Sequence, residues 1–262
     1  PASALESPHL GLVTAAEVAG LKEKLSALAA QAEESVDLSG LLELARTAPA
    51  LEPPEAVLPE PVEGRPRIVV AKDKAFCFYY ADGLALLEQL GAELAEFSPM
   101  NDGSLPEGTC GLYLGGGYPE LYAKALADNR PMREEVLAAV LGGLPTVAEC
   151  GGFLYLNQTL ADGAGRAWPM AGVFPGRAAN TGKLGRFGYV TLTAQTGGLL
   201  GPAGTKIPAH EFHYWDTGAP GRDFRAEKPQ STRGWDCAYH TPTLYAGFPH
   251  FHFCAAPGAA RN

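Results

Sequence analysis

The chain has 262 residues, 46% hydrophobic and 19% charged, with 20 Lys+Arg against 29 Asp+Glu and a formal net charge of −9. There is ample apolar surface to bury, so disorder is excluded as the main state. The acidic balance argues against a nucleic-acid partner, and no apolar run approaches the ~20 residues of a membrane helix, so no membrane contact is expected.

The elements follow in chain order. Residues 15–30 carry the spacing of an amphipathic helix, with Val18, Leu21, Leu25 and Leu28 on one stripe. A second helix is predicted over Leu38–Arg46 with Asp37 as N-cap. The stretch 49–66 holds Pro49, Pro53, Pro54, Pro59, Pro61 and Pro66 and predicts a stiff linker. Strands are predicted at Arg67–Ala71, 92–97, 111–114 and 145–149, and helices at 80–90, 120–127, 132–141 and 152–160. This alternation implies an α/β fold with an open, mostly parallel sheet and helices on both faces, preceded by the short helices. From Trp168 onward the chain turns to short β segments, at 190–193, 211–215, 244–246 and 250–253. Pro1 to Gly11 shows no secretory pattern. The first residue is not Met, which points to a processed chain or an excised fragment. Five widely spaced cysteines, Cys77, Cys110, Cys150, Cys237 and Cys254, predict a reduced, cytoplasmic protein.

Three constellations could carry chemistry. Ala148-Glu149-Cys150-Gly151-Gly152 sits between a buried strand and a helix. A sharp turn there would expose the Cys150 thiol above the sheet edge, and helical N–H groups would favour its thiolate. The alternative is a buried structural cysteine. Gly115-Gly116-Gly117-Tyr118-Pro119 ends a neighbouring strand, and its backbone N–H groups could face an oxyanion. An ordinary turn or a phosphate site is also open, although no G-x-x-x-x-G-K-[ST] run occurs in the chain. In Pro249-His250-Phe251-His252-Phe253-Cys254, a strand would put His250, His252 and Cys254 on one face. His250 could then serve Cys150 as general base and acid; the rival is zinc held by two histidines and a thiolate. His210-Glu211-Phe212-His213 is not H-E-x-x-H and reads either as polar residues beside a cleft or as a plain strand.

Taken in order, Lys72–Phe76 with Phe78–Tyr80, Phe97-Ser98-Pro99, 112–120 (LYLGGGYPE), 148–156 (AECGGFLYL) and 210–214 (HEFHY) resemble the cobyrinic (hydrogenobyrinic) acid a,c-diamide synthases. The resemblance covers the chain from about Arg67 to Phe253. It implies a class I-like, flavodoxin-like glutamine amidotransferase domain over 67–262, a linker over 49–66, and over 1–48 the helical tail of a synthetase domain that lies N-terminal to it. The segment 9–13 (HLGLV) resembles part of that tail. No cofactor is expected in this fragment; ATP and Mg²⁺ belong to the synthetase domain. The implied partners are L-glutamine, that synthetase domain, and through it a corrinoid carboxylic acid.

The resemblance further implies that Cys150 is the nucleophile and His250 the acid and base. Gly116, Gly117 and Gly151 would form the oxyanion hole, with His252, Glu211 and His213 as possible supports and no metal. The chain departs from many relatives by Leu154 in place of Gln, Ala148 in place of Gly, and Ala246-Gly247-Phe248-Pro249 where a Ser-Tyr pair is common. His252 stands where many class I enzymes have Glu, leaving a two-member Cys–His site and no named group to orient His250. The alternatives are the same domain in a nickel-sirohydrochlorin a,c-diamide synthase, a non-catalytic docking module, or a cysteine hydrolase of another substrate.

Overall fold

The computed structural model describes residues 18–52 and 57–262. The chain divides into two compact units, one ending at Val57 and one spanning Leu58–Asn262. The expected tail segment 9–13, the start of the first helix at 15–17, and Pro53 and Pro54 lie outside the described residues.

The first unit holds α1 (Leu21–Ser35) and α2 (Leu38–Arg46). α2 begins as its sequence predicts: Asp37 Oδ1 accepts the Gly40 N–H at 2.9 Å, satisfying one of the four donors a helix start leaves open. α1 starts at Leu21 and runs on to Ser35, past its expected end. Neither helix buries a residue.

The second unit is built on a six-stranded sheet. Its members are β1 (Arg67–Ala71), β3 (Glu93–Phe97), β4 (Thr109–Leu114), β6 (Thr146–Glu149), β15 (Tyr239–Thr241) and β16 (Leu244–Gly247), in the order β15-β16-β6-β4-β1-β3. Every pairing is parallel except β15–β16. Two-residue periodicity divides the core. Val69, Ala71, Leu112, Leu114 and Ala246 face α4 (Ala123–Asp128), α5 (Arg130–Leu141) and α6 (Gly151–Leu156), packing on Leu126, Met132, Val136 and Phe153. Val70, Tyr113 and Tyr245 face the other way, onto Leu86, Leu87 and Leu90 in and just after α3 (Ala81–Gln89). Helices therefore lie on both faces, as expected. The second face is also covered by a five-stranded antiparallel sheet, β14-β13-β10-β11-β17, whose Leu192, Ile207, Phe224 and Phe251 join the same cluster. Its members are β10 (Arg186–Ala194), β11 (Lys206–His213), β13 (Phe224–Glu227), β14 (Gly234–Cys237) and β17 (His250–Phe251). A four-stranded sheet contains β7 (Asn157–Ala161), β8 (Ala167–Pro169), β9 (Phe174–Asn180) and β12 (Trp215–Thr217). Last, β2 (Phe76–Phe78) pairs with β5 (Gly116–Gly117).

Several expected elements change: the helix expected over 120–127 begins as a 3-10 turn over Pro119–Tyr122 before α4, and the strand expected over 211–215 divides between β11 and β12. The helix expected over 152–160 stops at Leu156 and the chain turns into β7. Asn157 explains the break: its Nδ2 donates to Phe153 O at 2.8 Å and its Oδ1 accepts from the Thr217 hydroxyl at 2.6 Å. The strand expected over 250–253 covers only His250–Phe251, and Phe253–Ala255 forms a 3-10 turn.

Candidate active site

Leu114 lies beside Ala148, Ala148 beside Ala246, and Glu149 beside Gly247 in the parallel register. The C-terminal ends of β4, β6 and β16 are therefore adjacent. Gly115-Gly116-Gly117, Cys150 and His250 leave from these three ends, the edge at which open α/β sheets take ligands.

Cys150 turns the chain with φ 47° and ψ −98°. Such a backbone costs about 1–3 kcal/mol for a residue with a Cβ, so its surroundings must enforce it. Its N–H donates to Gly247 O at 2.8 Å, and its carbonyl accepts from Leu154 N–H at 2.8 Å. Gly152, two residues on, passes so close to β4 that a Cβ would stand 2.0 Å from Leu114 O. Gly117 has φ 153°, and a Cβ there would stand 2.1 Å from Ala75 O. The glycine run is consumed by close approach: Tyr79 lies against Gly115, His250 Cε1 would be 2.5 Å from a Cβ on Gly116, and the Cβ position of Gly151 is 3.0 Å from Gly117 N. The backbones of Gly116, Gly117 and Gly151 thus meet beside the elbow. A phosphate cradle would need that space open.

His250 is 7% exposed and opens β17, paired with His210 on β11. Phe78 packs its edge on the imidazole, with ring centres 5.0 Å apart. Cys150 acts on the ring electrostatically, at close range. Nδ1 lies 3.5 Å from Glu149 Oε2 and makes no hydrogen bond of normal geometry. Burial alone would drive the imidazolium pKa down; the neighbouring Cys150 and then Glu149 outweigh it and push it up to about 10.

Glu149 is the residue that sequence reasoning passed over. It is 1% exposed. Phe251 N–H donates to Oε1 at 3.1 Å and the Tyr113 hydroxyl faces Oε2 at 3.3 Å. Burial and then Glu149 hold Tyr113 well above the usual phenol pKa, so it remains a donor. The available signal was a carboxylate inside an otherwise apolar buried strand, which demands a partner.

Glu211 and His213 share the buried face of β11. Glu211 is fully buried, with Oε1 2.9 Å from His213 Nε2 and 3.4 Å from Arg186 Nη1. His213 Nδ1 faces Trp215 O at 2.6 Å, and the ring stacks on Phe248 at 3.9 Å. Both His213 nitrogens are thus occupied by protein, while Glu211 Oε2 has no partner. Leu154 is buried in the core behind the elbow. Pro249 is anchored, its carbonyl accepting the Tyr245 hydroxyl at 3.0 Å.

His252 does not join His250. Because the strand ends at Phe251, His252 turns outward, and its Nε2 meets Asp82 Oδ2 at 2.9 Å beside Tyr80. Cys254 Sγ lies 3.6 Å from Asp82 O. The expectation of His250, His252 and Cys254 on one face therefore fails, and the three-residue zinc set with it. Among the described residues, Asp82, His252 and Cys254 bring one ligand atom each to within 4.8 Å of one another; these donor types suit zinc, but the Asp82–His252 pair is already complete without an ion. A cavity of about 300 Å³ at the opposite end of the parallel strands, lined by Ile68, Leu90, Gly111, Thr146 and Leu200, includes neither Cys150 nor His250.

Residues 67–257 match the family described as the CobB/CobQ-like glutamine amidotransferase domain. Among curated relatives, a cobyrinate a,c-diamide synthase from Caldanaerobacter subterraneus subsp. tengcongensis is 38% identical over 255 residues, covering 95% of this chain and 55% of the relative. Another, from Syntrophotalea carbinolica, is 40% identical over 264 residues, covering 98% and 57%. The chain spans just over half the length of these relatives. Among solved structures, "Structure of PurLQS from Thermotoga maritima" superposes with a TM-score of 0.51 at 15% identity, over 76% of this chain and 95% of that one; at that identity the likeness concerns the fold alone. No helix among the described residues is long and apolar enough to cross a membrane.

Proposed function

Since the chain belongs to the CobB/CobQ-like glutamine amidotransferase domain family, we propose that it is the ammonia-supplying part of a cobyrinic or hydrogenobyrinic acid a,c-diamide synthase. The observation that carries the reading is the Cys150–His250 pair, a thiol on a left-handed turn at a strand end beside a buried imidazole. The Cys150 thiolate attacks the side-chain carbonyl carbon of L-glutamine, and the C–S bond forms as the carbonyl π-pair moves to oxygen. Backbone N–H groups of Gly116, Gly117 and Gly151 face that oxyanion. His250 gives its proton to the departing nitrogen, ammonia leaves, and a γ-glutamyl thioester remains. His250 then takes a proton from water, hydroxide adds to the thioester, and glutamate leaves with the thiolate restored.

In the full-length protein the ammonia would pass to a synthetase domain that holds ATP, Mg²⁺ and the corrinoid carboxylic acid. The chain contains no G-x-x-x-x-G-K-[ST] run, and side chains and backbone fill the Gly115–Gly117 turn, so no nucleotide step is assigned to this chain. Glutamine recognition falls to Glu211, whose Oε2 lacks a protein partner, with His213 holding Glu211 in place.

The test is labelling with a glutamine-mimicking diazoketone, read by intact mass and peptide mapping. One adduct on Cys150, blocked by glutamine, is expected. An adduct elsewhere, or none in either this chain or the full-length protein with ATP, overturns the reading. Amidation assays of the full-length protein with cobyrinic acid and nickel-sirohydrochlorin then identify the acceptor.

A further inference from the structure

The buried imidazole has one side with no hydrogen bond of normal geometry. Nδ1 of His250 is sealed from solvent without such a partner, and the carboxylate of Glu149 stands 3.5 Å away. Two donors fix that carboxylate in place, the Phe251 N–H and the Tyr113 hydroxyl. Phe251 is the residue after His250, and Tyr113 lies on β4, the strand beside β6. Residue 252, two after the base, faces Asp82 instead. Consecutive residues of a strand point to opposite faces, so Glu149 and Cys150 should not reach one ring. The left-handed backbone at Cys150 breaks that alternation. With Glu149 toward Nδ1, the other nitrogen is left for Cys150.

We infer that Glu149 is the positioning carboxylate of this site, supplied by the residue preceding the nucleophile and acting on glutamine only through His250. The inference rests on the Cys–His reading above and extends it. Its weight falls on the second half of the reaction. While Cys150 is a thiolate, its charge is the largest influence holding the proton on His250 against burial, with Glu149 a smaller one. Once the thioester forms, the sulfur is neutral and the Cys150 charge is gone. Glu149 is then the remaining charge that holds the ring's orientation and steadies the imidazolium that forms when water is deprotonated.

The test needs no glutamine in its first arm. In Cys150→Ser, ¹⁵N-histidine NMR titration follows His250 without the thiolate. A pKa at or above about 6.5, the ordinary value, is expected with Glu149 present, falling by at least about one unit in the Cys150→Ser/Glu149→Gln double variant. A His250 pKa below the ordinary value in Cys150→Ser, or an unchanged value in the double variant, overturns the inference. The second arm is steady-state glutamine hydrolysis by Glu149→Gln. A fall in kcat of about 10²-fold with little change in KM, accumulation of the thioester, and partial rescue by Glu149→Asp are expected. Equal loss in the Asp and Gln variants would assign Glu149 a purely structural role. If Glu149→Gln does not fold, the titration of Cys150→Ser alone decides. Failure of the glutamine reading would show in the diazoketone experiment and leave the titration intact.

Discussion

Two Cys–His–carboxylate groups lie on either side of Phe251, and they differ in burial. Cys150, His250 and Glu149 are all buried, and His250 is held protonated far above its usual range. Asp82, His252 and Cys254 carry the same chemical types at the surface. There the main effect is a carboxyl held below its usual range, first by the hydrogen bond from His252. Residue type does not separate the groups. Removal of water strengthens every charge–charge interaction in the first, whereas solvent screens an exposed pair such as the second and leaves it little net effect.

Removing the nucleophile should show the largest difference. Cys150→Ser is expected to lower glutamine hydrolysis at least about 10³-fold with the circular dichroism unchanged, and persistent ammonia release would end the thiol's role. Backbone crowding comes next. Gly152→Ala drives a Cβ into Leu114 O and should cost about 3 kcal/mol, seen as a loss of several degrees in Tm. Gly258→Ala, where a Cβ meets nothing within 4 Å, should be close to neutral; similar costs would refute the crowded elbow.

The reactivity contrast follows. At pH 7, iodoacetamide should modify Cys150 faster than Cys254 although Cys150 is the less exposed. Burial pushes the Cys237 thiol up to about 12, so it should remain unmodified. Equal rates at Cys150 and Cys254 would dissolve the distinction between the groups. A pH effect on stability is smaller. The folded pKa of His250 is raised, so its contribution is present in full below about 6.5 and is lost as pH rises through about 10. Urea midpoints should fall over that window, and less so in Cys150→Ser. The smallest effect is expected at the surface, where Asp82→Asn should leave the urea midpoint nearly unchanged and glutamine hydrolysis unaltered; a large loss would show that the outer group supports the inner one.

Much of the site was legible because it is written in local backbone chemistry. A cysteine between a buried strand and small residues marks an elbow, and a glycine run at a strand end marks a close approach. The elbow at Cys150 and the close approach of the 115–117 glycine run were read that way, and Gly151 does lie against Gly116 and Gly117; the oxyanion role of these glycines was implied by the family resemblance instead. The end of α6 was missed because Asn157 bonds to Thr217, far along the chain, and no helical pattern contains that contact. The H-x-H-x-C run misled for a similar reason, since the strand that would have aligned its side chains ends after Phe251.

The sequence by itself determined the parallel strands of the six-stranded sheet and which thiol sits at a strand-to-helix turn, because these depend on residues within a few positions of one another. The tertiary structure decided which histidine lies by which cysteine and which carboxylate lies by that histidine. Glu149 meets His250 because the parallel register sets β6 beside β16 and a positive φ at Cys150 turns two neighbouring side chains toward one ring. Register and burial arise from the whole sheet, so the raised His250 pKa could not be read from any local motif.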